Sequence, residues 1–156
     1  MEYGSFGEKR GADMSIQSWK ARFYPVEAYK ACSNPIEALK HSIRKWSGAT
    51  KANLSAHGLV KVTDCSGLYV KGDDRNPVIN FGTNTCALCQ FAQNKDLCGS
   101  TNCRFCPIVI RLGHRCYEEN ERGIDAYGRF VEKNDPRSMI ALLKKVLAKE
   151  EKAAKV

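Results

Sequence analysis

The chain has 156 residues, 43% hydrophobic and 27% charged, which suits one domain with a usable core. No apolar run approaches the roughly 18 residues that span a bilayer, and the first residues, Met1 to Met14, contain no apolar signal core. These features point away from a membrane protein and toward a reducing cytoplasm, while the net charge of +8 favours anionic partners such as nucleic acid, nucleotides or acidic protein faces.

Residues 1–14, with three glycines and mixed charges, read as a disordered leader, with Met14 as an alternative start. The first strong element is "SNPIEALKHSIRKW". Asn34 suits a helix cap, Pro35 the first helical position, and Glu37 a capping box. Ile36, Leu39, Ile43 and Trp46 recur at helical spacing as one apolar stripe, and Gly48 is placed to end the helix. "TKANLSAH" reads as a second short helix between Thr50 and Gly58. The segments "LVKVT" and "GLYVK", joined by Asp64-Cys65-Ser66-Gly67, read as a hairpin, and "PVINF" as a third strand leading to Cys86. After the cysteine segment, "IDAYGRFVEK" is helical in pattern despite Gly128. A last helix starts at Asp135 and Pro136, with Met139, Leu142, Leu143, Val146 and Leu147 on its apolar face. From Lys149 the chain is charged and alanine-rich, and a frayed tail over 149–156 is expected. The expected fold is therefore a single α+β domain over 15–148: N-terminal helices, a small antiparallel sheet, a zinc-braced loop segment over 86–116, and a C-terminal helix.

Eight cysteines in a reducing compartment point to metal sooner than to disulfides. Cys86 and Cys89 form one C-x2-C pair, and Cys103 and Cys106 a second, thirteen residues further on. A two-residue spacer lets a tight turn aim both thiolates at one ion, and two such pairs supply the four soft ligands of a structural zinc site. Cys98, Cys116 and His114 are alternates for members of the second pair. Cys32 and Cys65 stand alone and read as structural or exposed thiols. An iron–sulfur cluster is the competing cofactor: Cys106-Pro107 suits one, but the tight C-x2-C-x2-C run is missing.

Four thiolates close the zinc coordination sphere and leave no place for an activated water, so catalysis is not expected. His41, His57 and His114 fall in different elements, and Asp73-Asp74 reads as a polar turn. A zinc nuclease would carry catalytic histidines and carboxylates beside the pairs, whereas the Cys89–Cys103 interval holds no histidine and only Asp96. Basic residues that could hold phosphates are Lys40, Arg44, Lys45 and Lys51 around the first helices, and Arg104, Arg111 and Arg115 around the cysteines. Phe91 and Phe105 could stack bases, but a place in a miniature core beside the ligands is the simpler reading.

The set "SIQSWKARFYPV", "PIEALKHSIRKW", "CALC", "CRFCPI" with Cys116, "AYGRF" and "DPRSMIALL" resembles small uncharacterised proteins encoded by tailed bacteriophages, over most of the chain from Ile16 to Leu143. The resemblance implies a viral origin, hence a host-cell cytoplasm, and implies no catalytic activity. Two classes of function follow: a nucleic-acid-binding accessory protein with one structural Zn²⁺, or a host- or defence-directed interaction protein. The latter would block a bacterial complex through an acidic host protein or capture a signalling nucleotide.

Overall fold

The computed structural model describes residues 16–73, 75–95, 103–120, 123 and 125–155; the leader expected over 1–14 lies outside them. The chain forms the expected α+β fold, with a larger helical share than the sequence pattern indicated. A helix over 16–23 (α1), which sequence patterning did not single out, carries Trp19 and Phe23 one turn apart into the core. Trp19 Nε1 donates to the Gly48 carbonyl at 2.9 Å. A Cβ on Gly48 would meet the Phe23 ring at 2.6 Å, so the residue that ends the next helix must be glycine for α1 to pack there.

Helix α2 (Pro35–Ser47) begins as expected, with Asn34 Oδ1 accepting from the Glu37 N–H at 2.9 Å. Its buried face is Ala38, Leu39, Ser42, Lys45 and Trp46, while Ile36 and Ile43 are only half-buried. The face is therefore rotated from the expected stripe and takes two polar side chains inward. Helix α3 (Lys51–Ala56) is capped by Thr50 Oγ1, which accepts from the Asn53 N–H at 3.3 Å.

Strands β1 (Leu59–Lys61), β2 (Gly67–Val70) and β3 (Ile79–Asn80) pair antiparallel in that order, with Leu59 opposite Val70 and Leu68 opposite Ile79. The β1–β2 connection is broader than the expected four-residue turn. Gly67 already belongs to β2, and Asp64 sits in the left-handed region at φ 62° with its N–H donating to the Val131 carbonyl at 2.8 Å.

The cysteine segment, expected as a loop, is largely helical: α4 (Ala87–Lys95), a 3-10 turn (Cys103–Phe105) and α5 (Pro107–Leu112). Ala87, Leu88, Phe91 and Ala92 share the buried face of α4, an i, i+1, i+4, i+5 pattern that the flanking cysteines had masked. Helix α6 (Ala126–Lys133) tolerates Gly128 because a Cβ there would collide with the Asp125 carboxylate, which caps the helix by accepting from the Gly128 N–H at 2.8 Å. Helix α7 (Arg137–Ala154) starts after Pro136, with Asp135 Oδ1 accepting from the Arg137 N–H at 3.0 Å. It continues as regular helix to Ala154, so the frayed tail expected from Lys149 is not what forms. Ala, Lys and Glu are strong helix formers, and Glu150 is held by Arg111.

α2 packs on α7 and α4, and α7 on α6 and α5. At the centre Phe81 and Phe130 stack with centroids 5.2 Å apart, and Trp46 meets both edge-on at 4.9 and 4.7 Å. Phe91 is buried in the same core, as the simpler reading of it required. No helix among the described residues is long and apolar enough to cross a membrane.

Candidate metal centre

Five of the eight cysteines line one cavity beside the helices that replace the expected loop. Cys86 stands immediately before α4 and Cys89 lies in its first turn, so the C-x2-C spacing points both sulfurs to one side; the Cys89 N–H donates to Cys86 Sγ at 3.4 Å. Cys106 holds the equivalent position before α5, where Pro107 takes the first helical position and Gly113, at φ 78°, closes the helix. Cys-Pro here forms a helix start. Cys103 opens the 3-10 turn that packs against α4. Cys116 follows α5, its carbonyl accepting from the Tyr127 N–H at 3.0 Å and so tied to α6.

These five side chains line one cavity of about 440 Å³, together with Ser42, Lys45 and a wall that includes Trp46, Phe81 and Leu143. Ser42 and Lys45 come from α2. Lys45 is 1% exposed; its Nζ donates to the Thr85 carbonyl at 2.8 Å and lies 4.8 Å from the Phe81 centroid and 5.5 Å from that of Trp46. Among the described residues no carboxylate forms an ion pair with it. The Ser42 hydroxyl is buried and has no hydrogen-bond partner among them. A buried ammonium without a carboxylate partner is costly unless another anion is near, and the titratable groups that act on this one are thiols.

Burial pushes the Lys45 pKa down, opposed by the charges of Cys86, Cys89 and Cys116. Cys86 is held below the ordinary thiol value, first by the hydrogen bond from the Cys89 thiol, then by the Lys45 ammonium and the N–H groups of Cys89 and Leu88. Cys89, the donor in that bond, is raised in turn, with burial and then Cys86, Cys106 and Cys116 adding to the effect. Burial and the neighbouring Cys86 charge push Cys106 up to about 12. Cys116 is likewise raised to about 12, by burial, Cys86 and Cys106. Cys86 is therefore the favoured thiolate, and ionisation of Cys89, Cys106 and Cys116 beside it is resisted.

Of the set favoured by sequence, Cys86, Cys89, Cys103 and Cys106 all reach the cavity, and the alternate Cys116 joins them. Cys98 lies outside the described residues. His114 does not line the cavity; its Nδ1 lies 3.0 Å from the Arg115 carbonyl. Cys32 is buried elsewhere, its sulfur accepting from Asn94 Nδ2 at 3.3 Å, and Cys65 sits half-buried in the hairpin connection. Among the described residues no three His, Cys, Asp or Glu side chains converge on a point as they stand. The donor chemistry nonetheless fits a thiophilic cation: soft sulfurs from both sides of one cavity, an unpaired ammonium and an unused hydroxyl to serve the thiolates.

Comparison of the chain with protein-family models, curated proteins and solved structures finds no match.

The basic residues expected to hold phosphates do not form one face. Lys45 is buried in the cavity and is removed from that set: α2 turns it inward against Thr85 and two aromatic rings. Arg44 Nε donates to the Arg22 carbonyl at 2.5 Å. Arg111 forks onto Glu150 at 2.8 and 3.2 Å, and Arg115 pairs with Glu118 at 3.8 Å. Arg104 lies over the Phe105 ring, while Lys40 and Lys51 are exposed on different helices. Ser42 was not legible as a site residue. Its only signal is its place one turn before Lys45 and Trp46 on the face that also carries Leu39.

Proposed function

We propose that this chain is a non-catalytic binding module, braced by one zinc ion in the thiol cavity, whose partner is a nucleic acid. The observation that supports it most is the gathering of five thiols with a buried, carboxylate-free Lys45 in one cavity. Cys86, Cys89, Cys106 and Cys116 would hold the ion. Cys116 acts electrostatically on Lys45 and Cys89, whereas the charge of Cys103 bears on Cys106 and Cys116, and its sulfur lies 4.0 Å from the hydroxyl of exposed Tyr117. Zinc with four thiolates carries net negative charge, which the Lys45 ammonium offsets. It also leaves no open position for water or substrate, hence a brace and not a reaction centre. The formal charge of +8 supports an anionic polymer as partner.

Elemental analysis of the untagged protein tests the first half: one zinc per chain and no visible absorption are expected, with zinc lost in Cys116→Ser and kept in Cys103→Ser. Iron with a brown colour, or no metal at all, would reject it. Binding of a labelled oligonucleotide tests the second half. Affinity should fall steeply between low and moderate salt as counterions are released, and no binding at low salt would remove nucleic acid from the account.

A further inference from the structure

A second concavity, of about 500 Å³, lies on the hairpin side of the molecule, between α3, β1 and the end of α6. Among the described residues that line it are Lys51, Lys61, Lys71 and Lys133, with no carboxylate. Sequence could not group them, because they come from four separate elements or connections. Here the fold concentrates the positive charge that the arginines of the cysteine segment spend on Glu118 and Glu150.

The four lysines are not equivalent. Lys61 Nζ is fully used, donating to the Val62 and Val131 carbonyls at 2.5 and 3.0 Å and to Asn134 Oδ1 at 2.7 Å, and it rests over the Phe130 ring. It serves the carbonyl end of α6, where a cation is favoured, and lends the groove charge but no donor. Lys51, Lys71 and Lys133 form no ion pair among the described residues, and Lys51 and Lys133 are exposed. They share the lining of the concavity with an apolar floor that includes Leu54 and Leu59, both buried. A low-dielectric floor beneath unpaired cations strengthens their field toward an arriving anion.

We infer that this lysine groove binds the phosphate backbone of a nucleic acid. The inference rests on the nucleic-acid reading above and assigns it a place. Lysines act as point charges for phosphate, whereas carboxylate recognition favours the planar fork of arginine, which the groove lacks. No aromatic side chain among the described residues lines it, so bases have no stacking platform there and binding should be indifferent to sequence.

The test uses the full chain and a fluorescently labelled single-stranded oligonucleotide at low salt. Lys51→Glu, Lys71→Glu and Lys133→Glu together should weaken binding by about 100-fold and flatten the salt dependence by roughly two units of slope. A control with the same charge change on exposed positions of α7, Lys144→Glu, Lys145→Glu and Lys149→Glu, should lose less than about fivefold. The milder set Lys51→Gln, Lys71→Gln and Lys133→Gln guards against a folding defect and should lose about tenfold with an unchanged circular dichroism spectrum. Equal losses in groove and control variants would overturn the groove while leaving the nucleic-acid reading intact; no binding by the parent chain would overturn both. Polyglutamate competing as well as unlabelled oligonucleotide would reject phosphate recognition. Inorganic pyrophosphate competing at the oligonucleotide's own affinity would reject a polymer as the occupant.

Discussion

Lys45 and Lys61 sit over the two rings that stack at the centre of the core, Lys45 over Phe81 at 4.8 Å and Lys61 over Phe130 at 4.9 Å. Their surroundings differ in kind. Lys61 reaches the Val131 carbonyl and the Asn134 side chain at the end of α6 and the Val62 carbonyl after β1, with Asp64 acting on it electrostatically, and it stays half-buried beside solvent. Lys45 is enclosed, reaches one carbonyl, and otherwise faces sulfur. The first arrangement is complete with protein alone. The second becomes complete when the sulfurs are anionic, and several adjacent thiolates persist together when a metal ion holds them.

The largest effect expected from this contrast is removal of the metal. Structural zinc contributes about 10–16 kcal/mol in isolated zinc-finger peptides, so chelation or Cys86→Ser should lower Tm sharply in calorimetry, with α4 and α5 losing amide protection before the hairpin does. The pH response in the alkaline range should depend on the metal. In the metal-free chain the raised Cys106 and Cys116 favour the folded state while protonated, a contribution present below the ordinary thiol value of 9.0 and lost as pH rises toward about 12. In the zinc form thiolates are required, and stability should instead fall as pH drops from neutrality toward acid.

Next in size is the ring pair shared by both lysines. Phe130→Ala should cost about 3–5 kcal/mol by denaturant titration, loosening the Lys61 side while one zinc per chain is retained. An equal loss of zinc would mean the two regions are not separable.

Lys45→Met and Lys61→Met compare the two environments directly. Removing a partner of metal ligands costs about 10–100-fold in affinity, so competition with a chromophoric chelator should show that loss for Lys45→Met and less than about twofold change for Lys61→Met. The smallest effect concerns the α6–α7 junction beside Lys61. Arg137 holds the Asp135 carboxyl below its ordinary value, so its contribution is present at neutral pH and lost as pH falls through the depressed value. Asp135→Ala should cost about 1 kcal/mol at neutral pH and leave zinc content unchanged.

Caps and stripes made much of the frame legible. Asn34-Pro35, Thr50 and Asp135 mark starts that local hydrogen bonds produce, and local bonds depend on adjacent residues. The cysteines were legible as a group, but their helical setting was not: α4 shows its apolar face over only nine residues, and the C-x2-C pairs overprint it. The inward turn of Lys45 was not legible either. Its fate is set by Thr85, forty residues later, and by a cavity that exists only once α4, α5 and α7 have met. The lysine groove escaped for the same reason, since three separate stretches of chain build it.

Native mass spectrometry of the untagged chain, before and after mild acid, tests the central claim most directly. A single bound zinc that leaves on acidification, with return to the metal-free mass and accompanying loss of protection in α4 and α5, is the predicted result. A chain that carries no metal when purified in zinc-containing buffer, and keeps the same protection throughout, would contradict it.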